Sequence, residues 1–224
     1  MEQHNIIRSK RKTIAIHIVN GVVIVKAPLR MPQADIDKFV ASKQNWVKKN
    51  LTNSIHKKEQ RENFALKVGD SILLLGRLHP IVERAGNRVG FDGECFFVPM
   101  DLSSERIKRL CINTYKILAK KHISERVAEF GSKMVFNPKS IKITSAVTRW
   151  GSCSIKGTLN FSWRLMMAEE DVVDYLVVHE LAHLVVMNHS KKFWAIVQKV
   201  LPDYKDRQEK LKMLSKKLSM ENWD

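Results

Sequence analysis

The chain lacks most of the features that sort a small protein at once. Its three cysteines, Cys95, Cys111 and Cys153, are odd in number, widely spaced and free of any CxxC pair. That argues against a disulfide framework and against a cysteine-ligated metal site. No uninterrupted apolar run approaches the roughly 20 residues a membrane helix needs. The opening MEQHNIIRSKRKT has no apolar core of signal-peptide length. There is no internal repeat, no low-complexity segment and no Walker-type glycine-rich phosphate loop. Nor is there a finger, RRM or helix-turn-helix signature of sequence-specific nucleic-acid binding. The expectation is a reduced, cytoplasmic protein with no membrane partner.

Negative charge is also scarce. Asp and Glu number 23 against 39 Lys and Arg, a net charge of +16. Such a balance attracts anions, whether nucleic acid, nucleotides or acidic surfaces. The excess gathers in the first sixty residues (Arg8, Lys10, Arg11, Lys12, then Lys43 to Lys58) and in the last thirty-five. The plainer reading of each run is a solvated helix face. A length of 224 residues and a hydrophobic content of 44% suffice for one domain, or a domain with an annex, built on its own core.

Along the chain, TIAIHIVNGVVIVKA (13–27) reads as two β-branched strands flanking Asn20-Gly21, a type I′ hairpin signal ended by Pro28 and Pro32. Residues 33–51 show helical periodicity, and the polar stretch 52–65 reads as a connection. From 66 to 99, apolar runs punctuated by glycines predict short strands in a meander. A long helix follows, capped by Ser103 or Ser104, with Ile107, Leu110, Cys111, Tyr115, Leu118, Ile123 and Val127 as its stripe and Gly131 as its C′ residue. Residues 140–147 alternate as a strand, and a turn at Lys156-Gly157 leads into a second run, Thr158 to Leu165, which predicts another hairpin. The segment 169–187 predicts a helix with an acidic start, buried on most sides and ended by a left-handed Asn188. Two more helices run from Ser190 to Leu201 and over about 204–219. The boundary is placed at 100/101, with a β-rich region carrying one helix at 1–100 and a catalytic domain at 101–224.

The chemistry concentrates in His179-Glu180-Leu181-Ala182-His183, an HExxH motif. Histidines four apart on a helix share a face, so both rings can reach one metal ion. Zinc lowers the pKa of a coordinated water towards neutrality, and the intervening glutamate can take its proton. The motif lies in an apolar run, where unpartnered histidines and a glutamate would cost several kcal/mol, at roughly 2–7 kcal/mol per buried polar group. A metal satisfies them economically. A third ligand is needed. His189 lies six residues beyond His183, the metzincin spacing, with Val186 where a metzincin has its bend glycine and Asn188 left as the hinge. A downstream carboxylate such as Glu209 is the rival ligand.

A second cluster, Arg149-Trp150-Gly151-Ser152-Cys153-Ser154, closes a strand before the motif helix, with Asn160, Trp163 and Arg164 on the return strand. Arg149 and Arg164 could hold an anionic group or a carbonyl of a substrate lying along an edge strand. Otherwise they pair with acids, and the tryptophans pack. Cys153 has nothing nearby to activate it and reads as a small packing residue. Phe193 and Trp194 read as core. Tyr175, one turn before His179, could lie near the metal, and Tyr204 could donate to a developing oxyanion. Both are also ordinary packing residues.

The joint pattern resembles the YgjP-like metallopeptidases, relatives of the SprT-like and WLM zincins. It comprises Arg149-Trp150-Gly151-Ser152-Cys153, Asp174-Tyr175, His179 to Leu184, Asn188-His189-Ser190, Phe193-Trp194 and Pro202-Asp203-Tyr204. Arg11-Lys12-Thr13-Ile14 and the hairpin after it extend the resemblance over nearly the whole chain. It implies an α+β fold, a zincin-like catalytic half in which the HExxH helix lies beside a small sheet, with an N-terminal β-rich extension. By motif match it implies His179, His183 and His189 as ligands of Zn2+ or another divalent metal, with Glu180 as the base. Arg149, Trp150, Arg164, Tyr175 and Tyr204 are the candidate substrate contacts.

The leading expectation is therefore a zinc-dependent metallopeptidase that cleaves peptide bonds through a metal-activated water. One alternative, carried by the resemblance because a family member has been described as acting on UTP, is a metal-dependent nucleoside triphosphate pyrophosphatase. The net charge favours it, whereas three histidines disfavour Mg2+. A second alternative is a SprT-like protease associated with nucleic acid, bound without sequence preference through the basic surface.

Overall fold

The computed structural model describes residues 4–224. They group into two compact units. One holds the residues up to Phe64 together with Lys217–Asn222 and Asp224, and the other holds Ala65–Lys216 and Trp223. The strands of 71–99 thus count with the helices that follow them, where the sequence pattern had grouped them with the N-terminal residues. The glycine punctuation of 66–99 marks turns inside the second unit.

The first unit is a three-stranded sheet of β1 (His4–Ser9), β2 (Ala15–Val19) and β3 (Val22–Pro28), in the order β1-β3-β2. The hairpin is the expected one. Asn20 and Gly21 take φ of 51° and 79°, the two left-handed positions a type I′ turn requires. Strand β1 was not expected. It pairs in parallel with β3, from His4↔Val23 to Ser9↔Pro28, and its mostly exposed residues carry little apolar alternation. Central β3 turns Val23, Val25 and Ala27 inward. Val25 and Ala27 pack with Ile36 of α1 (Gln33–Ser42), ringed by Ile6, Ile14, Ile16, Met31 and Val40.

The helix expected over 33–51 breaks at Lys43 (φ −109°, ψ 11°), and a second helix, α2 (Gln44–Glu62), continues through the stretch read as a connection. Only Val47 of α2 is buried. Good helix formers without Gly or Pro sustain the helix, but a polar helix leaves no apolar stripe to read.

In the second unit, β4 (Ser71–Leu74), β5 (Arg77–Arg84), β6 (Gly90–Phe91) and β7 (Phe96–Pro99) form a sheet in the order β4-β5-β7-β6. It is not a simple meander, because β5 pairs with β7 in parallel. Its inward residues Ile72, Leu74, Ile81, Phe96 and Val98 are buried. Helix α3 (Ser104–Met134) packs there: the Tyr115 ring lies 5.2 Å from that of Phe96, and its hydroxyl donates to the Leu73 carbonyl.

Ser103 caps α3, its Oγ accepting from the Arg106 N–H, and the expected stripe is buried or half-buried. Gly131, however, does not end the helix. It lies inside it, where an added Cβ would stand 2.8 Å from the Phe136 carbonyl oxygen. The left-handed residue is Val135, at φ 57° and 83% exposed. A β-branched side chain is strained there. Val135→Gly is therefore expected to raise stability by about 1 kcal/mol in urea unfolding, with an unchanged m-value. A loss of stability would refute the assignment of strain.

The second sheet of this unit, beside the motif helix, contains β8 (Ser140–Thr144), β9 (Gly151–Cys153) and β10 (Thr158–Ser162), in the order β8-β10-β9. The Lys156-Gly157 turn joins β9 to β10 as the hairpin, while β8 lies parallel to β10. Trp163–Met167 form a 3₁₀ turn instead of prolonging the strand to Leu165. Buried Arg164 donates from that turn to the carbonyls of Ser145 and Trp223, and its guanidinium covers the Trp163 ring at 4.7 Å.

The motif helix α4 (Glu170–Ala182) is nearly all buried, as expected, and packs between α3 and β9. Arg126 of α3 holds Asp174 of α4 through two hydrogen bonds of 2.5 and 2.7 Å. Helices α5 (Lys191–Val200) and α6 (Tyr204–Leu218) follow. Among the described residues no helix is long and apolar enough to cross a membrane. The α+β class, with the HExxH helix beside a small sheet, is the one the sequence predicts.

Candidate metal centre and active site

Helix α4 ends at Ala182, five residues earlier than its apolar run suggests. The N–H groups of Leu184, Val185 and Val186 turn back onto the carbonyls of Leu181 and Ala182. Val185 and Met187 are half exposed and contribute no helical face. Asn188 is not the left-handed hinge expected of it. Its side chain instead accepts from the Ser190 N–H at 3.2 Å, just before α5 begins. The reversal is thus spread over 183–189, and it carries His189 back over the end of α4.

There the three histidines converge. The His179 and His189 Nε2 atoms are 3.0 Å apart, and one ligand atom from each of His179, His183 and His189 lies within 4.8 Å of the other two. Phe193 of α5, wholly buried, lies against all three rings at centroid distances of 4.5 to 4.9 Å. Trp194 stacks on His189 at 5.7 Å, and Tyr204 stacks on Trp194 at 5.2 Å. Glu209, the rival ligand, is paired with Lys212 and lies outside this group.

The outer bonds fix which nitrogens face inward. His183 Nδ1 lies 3.0 Å from the Val186 carbonyl, so it carries the proton and leaves Nε2 as the free donor. The Tyr175 hydroxyl lies 3.5 Å from His179 Nδ1, a longer contact on the same side of that ring. Burial, then the neighbouring His183 and His189, depress His179 to about 3. Burial also lowers His183. Both rings are held neutral, the form that ligates metal.

Glu180 points from α4 towards β9. A Cβ at position 151 would stand 2.5 Å from its Oε1, so only glycine fits there. The residue is 3% exposed, and Oε2 has no hydrogen-bond partner. A buried polar atom left idle is costly and uncommon in a folded protein. Burial pushes its pKa up to about 8.

That shift has a testable sign. In the metal-free chain, folded Glu180 keeps its proton to about pH 8, whereas an unfolded glutamate loses it near the ordinary 4.5. Stability therefore falls as pH rises through this window, by on the order of a few kcal/mol. Glu180→Gln should flatten that slope in denaturant melts of metal-free protein, and an unchanged slope would count against the assignment.

Three converging imidazoles, with a buried carboxylate on the residue that follows the first of them, fit a divalent transition ion that keeps one position open. The other candidates fall differently. Tyr175 joins the histidine cluster, while Tyr204 reaches it only through Trp194. Trp150 spends its indole N–H on Ser215 Oγ at 2.9 Å, and the Arg164 guanidinium is committed as described. Arg149 is exposed and lines, with Thr144, Ser152, Asn160 and Ser162, a cleft of about 340 Å³. Ser152 and Asn160 pair across β9 and β10, so strand alternation puts them on the face opposite the one Gly151 turns to Glu180. Burial, then Glu180, pushes the Cys153 thiol up, consistent with an unreactive packing residue. The roles of Gly151 and of Phe193 as a platform under the rings were not read from sequence. A glycine in a strand next to a buried motif was the available signal.

The chain was compared with known proteins. A crystal structure of the metallopeptidase zymogen abylysin from Pyrococcus abyssi is 25% identical, matching 45% of this chain and 97% of that one with a TM-score of 0.38. That of the metallopeptidase zymogen jannalysin from Methanocaldococcus jannaschii is 24% identical, matching 42% and 95% with a TM-score of 0.37. No curated protein matches. The family described as YgjP-like, metallopeptidase domain, matches residues 12–214, nearly the whole chain, and the protein belongs to that family.

Proposed function

We propose that the protein is a zinc metallopeptidase, in which His179, His183 and His189 hold the ion and Glu180 is the general base. The observation that carries this reading is the convergence of three histidine ligand atoms, next in the chain to a buried carboxylate whose Oε2 has no partner. Zinc in such a site supplies Lewis-acid polarisation of a carbonyl and acidity to a water. The protein's own part is positional. Val186 and Tyr175 orient two of the rings, and Phe193 backs all three. Glu180, sealed against Gly151, takes the proton from the attacking water at Oε2 and returns it to the leaving amine. A base with a raised pKa suits both transfers near neutral pH. Tyr204 is the candidate donor to the developing oxyanion. Arg149, solvent-facing, is the remaining candidate contact for an anionic part of the substrate.

The test is hydrolysis of a mixed peptide library by metal-loaded protein, read by mass spectrometry, with pyrophosphate release from UTP assayed in parallel. Cleaved peptides with no pyrophosphate support the reading. Pyrophosphate with no cleaved peptide overturns it in favour of the nucleotide alternative.

A further inference from the structure

The N-terminal unit holds a feature unrelated to the histidines. Residues 1–64 carry thirteen Lys and Arg against five Asp and Glu, a net +8, half of the whole chain's charge in well under a third of its length. On this unit a groove of about 570 Å³ runs between β2 and α2. One wall is a single face of α2, formed by Trp46, Asn50, Asn53, Lys57 and Arg61, which follow one another at helical spacing. The other wall is β2 from Ile16 to Val19 with Asn20 of the turn that follows.

Strand β2 is the outer strand of its sheet. The two-residue turn makes Val19↔Val22 a hydrogen-bonded pair, and the alternation of an antiparallel ladder then leaves the N–H and C=O of Ile16 and Ile18 facing away from β3. An outer strand with outward backbone groups is a template for one more strand. The groove beside it offers apolar surface, with Trp46 49% and Val19 51% exposed, and cations at Lys57, Lys58 and Arg61. The Arg61 end already receives acidic chain. Its guanidinium donates to the Glu221 carbonyl at 2.9 Å and to the Asp224 carboxylate at 2.8 Å.

We infer that this groove docks an extended acidic peptide segment, which adds a strand to β2 and sets its carboxylates against Lys57 and Lys58. A nucleic-acid strand fits less well. It would use the cations, but it has no complement to the strand's alternating N–H and C=O, and for stacking the groove offers only Trp46 and the smaller ring of His17, where such platforms line up several. The inference does not rest on the peptidase reading, although a docking strip for acidic segments would let a peptidase select its substrates.

The test uses the full-length protein and a fluorescein-labelled peptide alternating Glu with Val, followed by fluorescence anisotropy. Hydrogen exchange at the Ile16 and Ile18 amides is read in the same complex. The expected result is saturable binding, slowed exchange at both amides, and at least about a tenfold weakening in the exposed double variant Lys57→Glu, Lys58→Glu. Alternate N-methylation of the peptide backbone should abolish binding, and hydrolysis of short neutral peptides should be the same in the double variant. The inference is overturned if the Glu-to-Lys version of the peptide binds as well, if the N-methylated peptide binds as well, or if no binding is seen. A tighter, steeply salt-dependent complex with single-stranded oligo(dT) would overturn it in favour of a phosphate-binding surface. Because binding is read without turnover, a protein that cleaves no peptide leaves this result standing.

Discussion

Glu180→Gln is expected to lower kcat on peptide substrates by about 10²- to 10⁴-fold, the range that a positioned general base contributes, while metal content stays at one ion per chain. The substitution keeps the shape of the side chain, so the close packing against Gly151 survives. It removes only the ability of Oε2 to accept and return a proton. KM should change little, because the lost interaction belongs to the transition state. Steady-state kinetics beside elemental analysis decide the matter. A variant within tenfold of wild type would mean that another group is the base, and a variant without metal would mean that Glu180 also holds the site together.

His183→Ala should have the largest effect on metal. In the proposed site its ring is one of three donors, and outer-shell losses alone typically cost 10–100-fold in affinity, so a ligand loss should exceed about a hundredfold. The variant as purified is expected to carry almost no metal and to melt at the temperature of chelator-treated wild type, since a ligand bound only by the folded state adds to stability. The pH dependence follows from the same burial. A folded pKa held below the ordinary 6.5, to about 3 for His179, means that the unfolded state binds more protons between those values. Stability contributed by the neutral ring is present above 6.5 and is lost as pH falls through the window. Protons compete weakly for the folded site, so metal should be retained to lower pH than by free imidazoles. Release centred near pH 6.5 in an acid titration would contradict the burial argument.

What could be read from sequence divides along physical lines. Side-chain spacing on a helix is local, so His179 and His183 on one face, with Glu180 between them, were legible from five residues. The I′ hairpin at Asn20-Gly21 and the Ser103 cap were legible for the same reason. The position of His189 was legible in spacing, but the route that brings it there was not. The apolar run to Met187 reads as more helix, yet the chain turns at Ala182, and the Val186 carbonyl then meets the His183 ring. Parallel pairings, β1 with β3 and β5 with β7, leave no local mark, since a partner strand is chosen over sequence distance. Helix α2 was hidden by the opposite fault, a regular element with almost no buried face. Gly151 shows the limit most clearly. Its identity is dictated by an atom of Glu180, twenty-nine residues away, and no pattern around it says so.

The stack of His189 on Trp194 also makes the centre visible to light. With its indole ring 5.7 Å from a ring of the histidine cluster, Trp194 is an emitter beside the proposed ion site. A filled d shell such as that of zinc absorbs nothing in the visible and near-ultraviolet, so its arrival should leave the tryptophan bright. Cobalt or copper in the same place would draw energy from it, and the Trp194 share of the chain's own fluorescence would then report occupancy without any added dye.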